Sequence, residues 1–105
     1  MMLDRIKEAI KLVESDWRER GFAFNNVTTT EIVLGDCDEV SIPTIPNKIG
    51  TFHVHTIDYS RPSEDDINMF LNSNDKLFCY AAPLEDLWRY RCYDRELSVI
   101  DEGEI

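Results

Sequence analysis

An α+β domain, in which a mixed, largely antiparallel sheet packs against an N-terminal helix, is the fold class this sequence predicts, and three observations point to it. Leu3, Ile6, Ile10, Val13 and Trp17 recur at spacings of three and four, the period of a helix with one apolar face. From Phe22 to Tyr93 come short runs that alternate or are wholly apolar, bounded by Gly, Pro or Asn, as strands are. A chain of 105 residues with 43% hydrophobic side chains can bury one core, so residues 1–105 are read as a single domain.

Each element follows from its residues. Lys7, Lys11 and Glu14 fall off the apolar stripe of the first helix, and Gly21 offers a stop. Phe22-Ala23-Phe24 reads as a strand turned by Asn25-Asn26 into a second strand around Thr28 to Leu34. Gly35 to Asp38 reads as a turn, Glu39 to Ile42 as a short strand, and Pro43 to Asn47 as an irregular connection. In Gly50-Thr51-Phe52-His53-Val54-His55-Thr56, alternation puts Phe52 and Val54 on one face and both histidines on the other. Pro62 to Asp66 opens a short helix whose apolar stripe is Ile67, Phe70 and Leu71, ending at Asn72 to Asp75. Lys76 to Ala82 is expected as a core strand and Trp88 to Tyr93 as another, with Trp17 and Trp88 in the core. The acidic tail, residues 101–105, is expected to fray.

Twenty-one acidic against 11 basic side chains give a net charge of -10, a surface that repels phosphate backbones, so no nucleic-acid partner is expected. The apolar runs are too short to span a membrane, and Asp4, Arg5, Lys7 and Glu8 stand where a secretion signal needs an apolar stretch; a cytoplasmic location is the expectation. Cys37, Cys79 and Cys92 are odd in number and widely spaced, matching neither a disulfide framework nor a CxxC metal knuckle. Cys79 is read as a buried strand residue.

The chemistry concentrates in His53-x-His55-x7-Ser63-x-x-Asp66. Residues two apart on a strand project from one face roughly 6 to 7 Å apart at the backbone, near enough for two imidazoles to converge on one cation. A carboxylate from the first turn of the next helix completes three protein ligands and leaves a fourth position for water.

This pattern resembles the JAMM (MPN+, JAB-type) metallopeptidases, whose signature is a Glu followed by His-x-His-x7-Ser-x-x-Asp, and the spacing here matches without a gap. Gly50 to His55, Arg61 to Asp66 and Cys92-Tyr93-Asp94-Arg95 are similar to short archaeal members. The resemblance implies a JAB/MPN fold, cytidine-deaminase-like in outline, with zinc on His53, His55 and Asp66 and with Ser63 donating to the oxyanion. It implies zinc-dependent hydrolysis of a peptide or isopeptide bond at the C-terminus of a ubiquitin-like or sulfur-carrier protein, whose tail is the expected partner. Thr56 departs from the proline that commonly follows the second histidine.

The resemblance also requires an upstream Glu to take a proton from water. Glu19, just after the first helix and at the start of the first strand, fits that place best; Glu31 and Glu39 also compete. The same residues carry other readings. Ser63-x-x-Asp66 is also a helix capping box, Glu19 between Arg18 and Arg20 is also a solvated helix end, and the histidines alone are also surface strand residues. His53-Val54-His55-Thr56 resembles the first motif of the PHP phosphoesterases, but two histidines in all cannot complete that site. A catalytically inactive module of the same fold, or an accessory subunit, is the alternative function.

Overall fold

The computed structural model describes residues 2–35, 42–56 and 62–105. Helix α1 (Met2–Asp16) buries Ile6, Ile10 and Val13 of the predicted stripe together with Ala9, while Leu3 at its start is exposed. It stops earlier than Gly21. Trp17 takes a left-handed φ of 54°, with its N–H donating to Val13 O at 2.6 Å. Arg20 reaches back to Asp16 with two donors, at 2.8 and 3.0 Å, so the chain reverses directly into strand β1 (Arg20–Phe24). Two expectations are corrected by this reversal. Trp17 is 57% exposed rather than a core residue, and Gly21 lies inside β1.

The hairpin after β1 forms, with Asn25 Oδ1 accepting from the N–H groups of Val27 and Thr28 at 2.8 Å. Its second arm is interrupted: it bridges once at Phe24 and Thr29, then pairs as β2 (Val33–Leu34), in the register Arg20 with Leu34 and Gly21 with Val33. Thr30 Oγ1 accepts from Ala23 N in between, so a side chain takes one strand-bonding position. Cys37, Glu39 and most of the strand expected from Glu39 to Ile42 lie outside the described residues.

Strand β3 (Gly50–Val54), helix α2 (Glu64–Asn72), β4 (Leu77–Leu84), β5 (Leu87–Tyr93) and β6 (Val99–Glu104) complete the chain. The sheet order is β2-β1-β3-β4-β5-β6, with β3 and β4 parallel and every other pair antiparallel. The α+β class with a mixed sheet is therefore observed. Where β3 and β4 begin side by side, Gly50 is required because a Cβ there would fall on the Leu77 carbonyl.

The tail expected to fray is instead the edge strand β6. Arg91 Nε donates to Glu102 Oε2 at 3.0 Å and Tyr90 Oη to Asp101 Oδ1 at 3.2 Å, so acidic side chains that repel each other in isolation find donors across the ladder.

The sheet has two unlike faces. Against α1, Phe22, Phe24, Phe52, Val54, Cys79, Ala81, Trp88 and Cys92 form the main core, with the Phe22 and Phe52 rings stacked at 5.4 Å. On the other face, Phe70 of α2 packs with Phe78, Tyr80 and Ala82. Cys79 is buried on β4 as expected, but it forms a disulfide with Cys92, directly opposite on β5. The odd total concealed a pair that only strand register brings together. Such bonds are rare in the cytosol, so this one and the cytoplasmic expectation pull in opposite directions. Among the described residues no helix is long and apolar enough to cross a membrane.

Candidate metal centre

Alternation along β3 delivers Thr51 and His53 to the α2 face, and His55, one residue past the strand, follows them. His55 is held there by its N–H, which donates to Ala81 O at 2.9 Å. The two imidazoles stand edge to face with centroids 6.3 Å apart. Aromatic rings wall them in: Phe78 lies 5.4 Å from His53, and Tyr80 lies 5.6 Å from His55.

Asp66 arrives from the first turn of α2. Ser63 is the N-cap, in extended conformation, and its Oγ accepts from Asp66 N at 3.1 Å. Only half of a capping box forms. The Asp66 carboxylate is directed at His55, with Oδ2 3.6 Å from Nε2. That gap is too long for a good hydrogen bond. Asp66 is 3% exposed and its Oδ2 has no hydrogen-bond partner among the described residues, a costly state for a buried carboxylate.

The gap does suit two ligands sharing one ion, since donors about 2.0 to 2.2 Å from a tetrahedral zinc stand roughly 3.3 to 3.5 Å apart. Protonation states agree. Burial holds the His53 pKa down to about 4, with the Asp66 charge opposing it and the charges of His55 and Lys48 adding to it. Burial also lowers His55, against the pull of Glu19 first and Asp66 second. Both rings are therefore neutral at pH 7, as metal ligands must be.

The third donor is placed differently. His53 Nε2 lies 3.3 Å from Thr51 Oγ1, and among the described residues no three His, Cys, Asp or Glu side chains close on one point. The set of two neutral imidazoles and one orphaned carboxylate fits zinc in chemistry and in neighbourhood, with His55 and Asp66 already adjacent and His53 engaged by Thr51. Alternation along β3 also places Thr51 on this face, a signal that sequence reasoning did not use.

Among the described residues, Glu19 is the upstream acid placed toward this site. Arg20 pairs with Val54, so Glu19 is the next position along β1 in the direction of His55, and its charge acts on that imidazole. The Arg20–Asp16 clamp fixes the connection from which Glu19 projects. Glu31 is exposed between the Thr29 bridge and β2, and Glu39 lies outside the described residues.

No protein-family model matches the sequence, and no curated protein matches it. Solved structures do. A structure described as JAMM, a metalloprotease-like zinc site in the proteasome and signalosome, aligns with a TM-score of 0.61 at 23% identity, over 95% of this chain and 87% of its own. A JAB1/MPN domain protein from Archaeoglobus fulgidus aligns with a TM-score of 0.60 at 22% identity, over 95% and 86%. At that identity the likeness establishes the JAB1/MPN fold for this chain.

Proposed function

We propose that this chain is a zinc-dependent peptidase of the JAMM type, cleaving a peptide or isopeptide bond at the C-terminal tail of a ubiquitin-like or sulfur-carrier protein. The observation that carries the reading is the buried Asp66 oxygen, unbonded and 3.6 Å from His55 Nε2, at the side chains that the His-x-His-x7-Ser-x-x-Asp spacing selects. His53, His55 and Asp66 would hold the ion, and when bound, zinc supplies Lewis acidity that polarises a carbonyl and acidifies water.

The remaining roles belong to the chain. Glu19 accepts the proton as water oxygen bonds to the scissile carbonyl carbon, and it returns a proton to the leaving amine as the C–N bond breaks. Ser63 Oγ already accepts from Asp66 N, so its own O–H is free to donate to the oxyanion. Capping and catalysis use different parts of one hydroxyl. The solved structures of the same fold, one of them described as a metalloprotease-like zinc site, support the reading.

The test is metal content followed by cleavage. Asp66→Ala and His53→Ala should lose the zinc that the parent carries, and Glu19→Gln should keep it while cleavage of a model isopeptide falls about 10²- to 10⁴-fold. Unchanged zinc in both ligand variants would overturn the site. One observation favours a second reading, an inactive binding module: His53 Nε2 lies 3.3 Å from Thr51 Oγ1, and among the described residues no three His, Cys, Asp or Glu side chains close on one point. A parent that binds no zinc and cleaves nothing would decide for it.

A further inference from the structure

Arg95 lies on the turn between β5 and β6, a connection with no part in the proposed chemistry. The turn is tightly built. Asp94 Oδ1 accepts from the N–H groups of Glu96 and Ser98 at 3.0 Å, Asp94 N donates to Ser98 O at 3.1 Å, and Leu97 closes it with a left-handed φ of 61°.

What that turn presents is a guanidinium aimed at the end of α2. Arg95 Nη1 donates to Phe70 O at 3.2 Å, Ser73 O at 2.7 Å and Asp75 O at 3.0 Å, and Nη2 donates to Leu71 O at 3.1 Å. Phe70 O already accepts from Ser73 N at 3.0 Å and Ser73 Oγ at 2.6 Å, so what the guanidinium adds is a partner for Leu71 O and Ser73 O and a positive charge at the negative end of the helix. The helix has no basic residue in its own last turn, and Arg95 supplies that charge from another element. Its guanidinium carbon also lies 5.4 Å from the Phe70 ring centroid, over the main buried side chain anchoring α2 to the sheet.

We infer that Arg95 is a positioning residue that fixes α2 along its axis and thereby sets Asp66 opposite His55, an inference that rests on Asp66 being a metal ligand. A helix can slide or tilt on a face made of flat aromatic rings. Asp66 and Phe70 are both on α2, one turn apart, so a shift at the capped end is carried to the carboxylate. Phe70 packs α2 onto the sheet, and the guanidinium from the β5–β6 turn ties down the C-terminal end of the helix.

The experiment compares the parent, Arg95→Ala, Arg95→Lys and the core variant Val13→Ala, which lies on the opposite face. Zinc affinity is measured by competition with a chromophoric chelator, and amide exchange is followed for α2 and β4 in chelator-treated protein. Arg95→Ala should weaken zinc binding about tenfold to a hundredfold, and Arg95→Lys, retaining charge but not the forked donors, by less. Arg95→Ala should also speed exchange of the α2 amides roughly tenfold with those of β4 unchanged. Val13→Ala should lower stability without either effect. Equal zinc loss in Val13→Ala, or unaltered α2 exchange in Arg95→Ala, would overturn the inference. If the parent binds no zinc, the peptidase reading fails, while the exchange result still decides whether Arg95 fixes the helix.

Discussion

On the α1 side of the sheet, Ile10, Val13, Phe22, Phe52 and Val54 are buried with no polar atom in their side chains, whereas on the α2 side similar burial is given to Thr51, His53, His55 and Asp66. The first set gains free energy from leaving water. The second gives some of it up, because neutralised imidazoles and an unbonded carboxylate oxygen are stabilised by solvent that the fold excludes. One face holds the domain together and the other carries buried polar groups at a cost.

The contrast can be broken most directly from the apolar side. Phe52→Ala removes a fully buried ring stacked on Phe22 and should cost about 3 to 5 kcal/mol, read as a lowered urea midpoint. A loss under about 1 kcal/mol would mean that the α1 face is not the principal core.

Acid sharpens the contrast from the other side. As pH falls from about 6.5 toward about 4, the unfolded chain takes up protons that folded His53 refuses, so metal-free protein loses stability through that window and the loss levels off below it. A displacement of that size corresponds to roughly 3 kcal/mol, and buried His55 shifts in the same direction. Denaturation midpoints in chelator across the window, with His53→Asn as the flattened control, measure it. A flat profile in the parent would show that His53 is solvated.

The smallest effect has the opposite sign. Asp66→Asn removes the buried charge while keeping its shape, so metal-free protein should gain about 1 kcal/mol at pH 7 even as zinc binding is lost. Destabilisation in the metal-free state would show that Asp66 is already satisfied.

The parts of this molecule that were legible in the sequence are those whose partners are near in the chain. The centre of the α1 stripe, the alternation of β3 and the Ser63 cap each lie within one element, and the approach of Asp66 to His55 was readable because strand and helix follow each other closely. What escaped depended on register across the sheet. The Cys79–Cys92 bond needs the β4–β5 pairing, and β6 needs Arg91 and Tyr90 to accommodate its acids. Trp17 escaped because Arg20, beyond the helix, sets where the helix ends. Glu19 was singled out by position, and the register of β1 against β3 is what brings it toward His55 while Glu31 stays exposed.

Strands β3 and β4 run in the same direction, so the polypeptide must travel back along the sheet before it can pair again, and the return leg is α2 itself. The segment that solves this routing problem is the one that brings Asp66, capped by Ser63, to His55. Docking of that leg against the sheet and the approach of Asp66 to His55 are consequently the same packing event. A half-folded molecule with its antiparallel hairpins in place would possess a strand carrying histidines and no carboxylate opposite them.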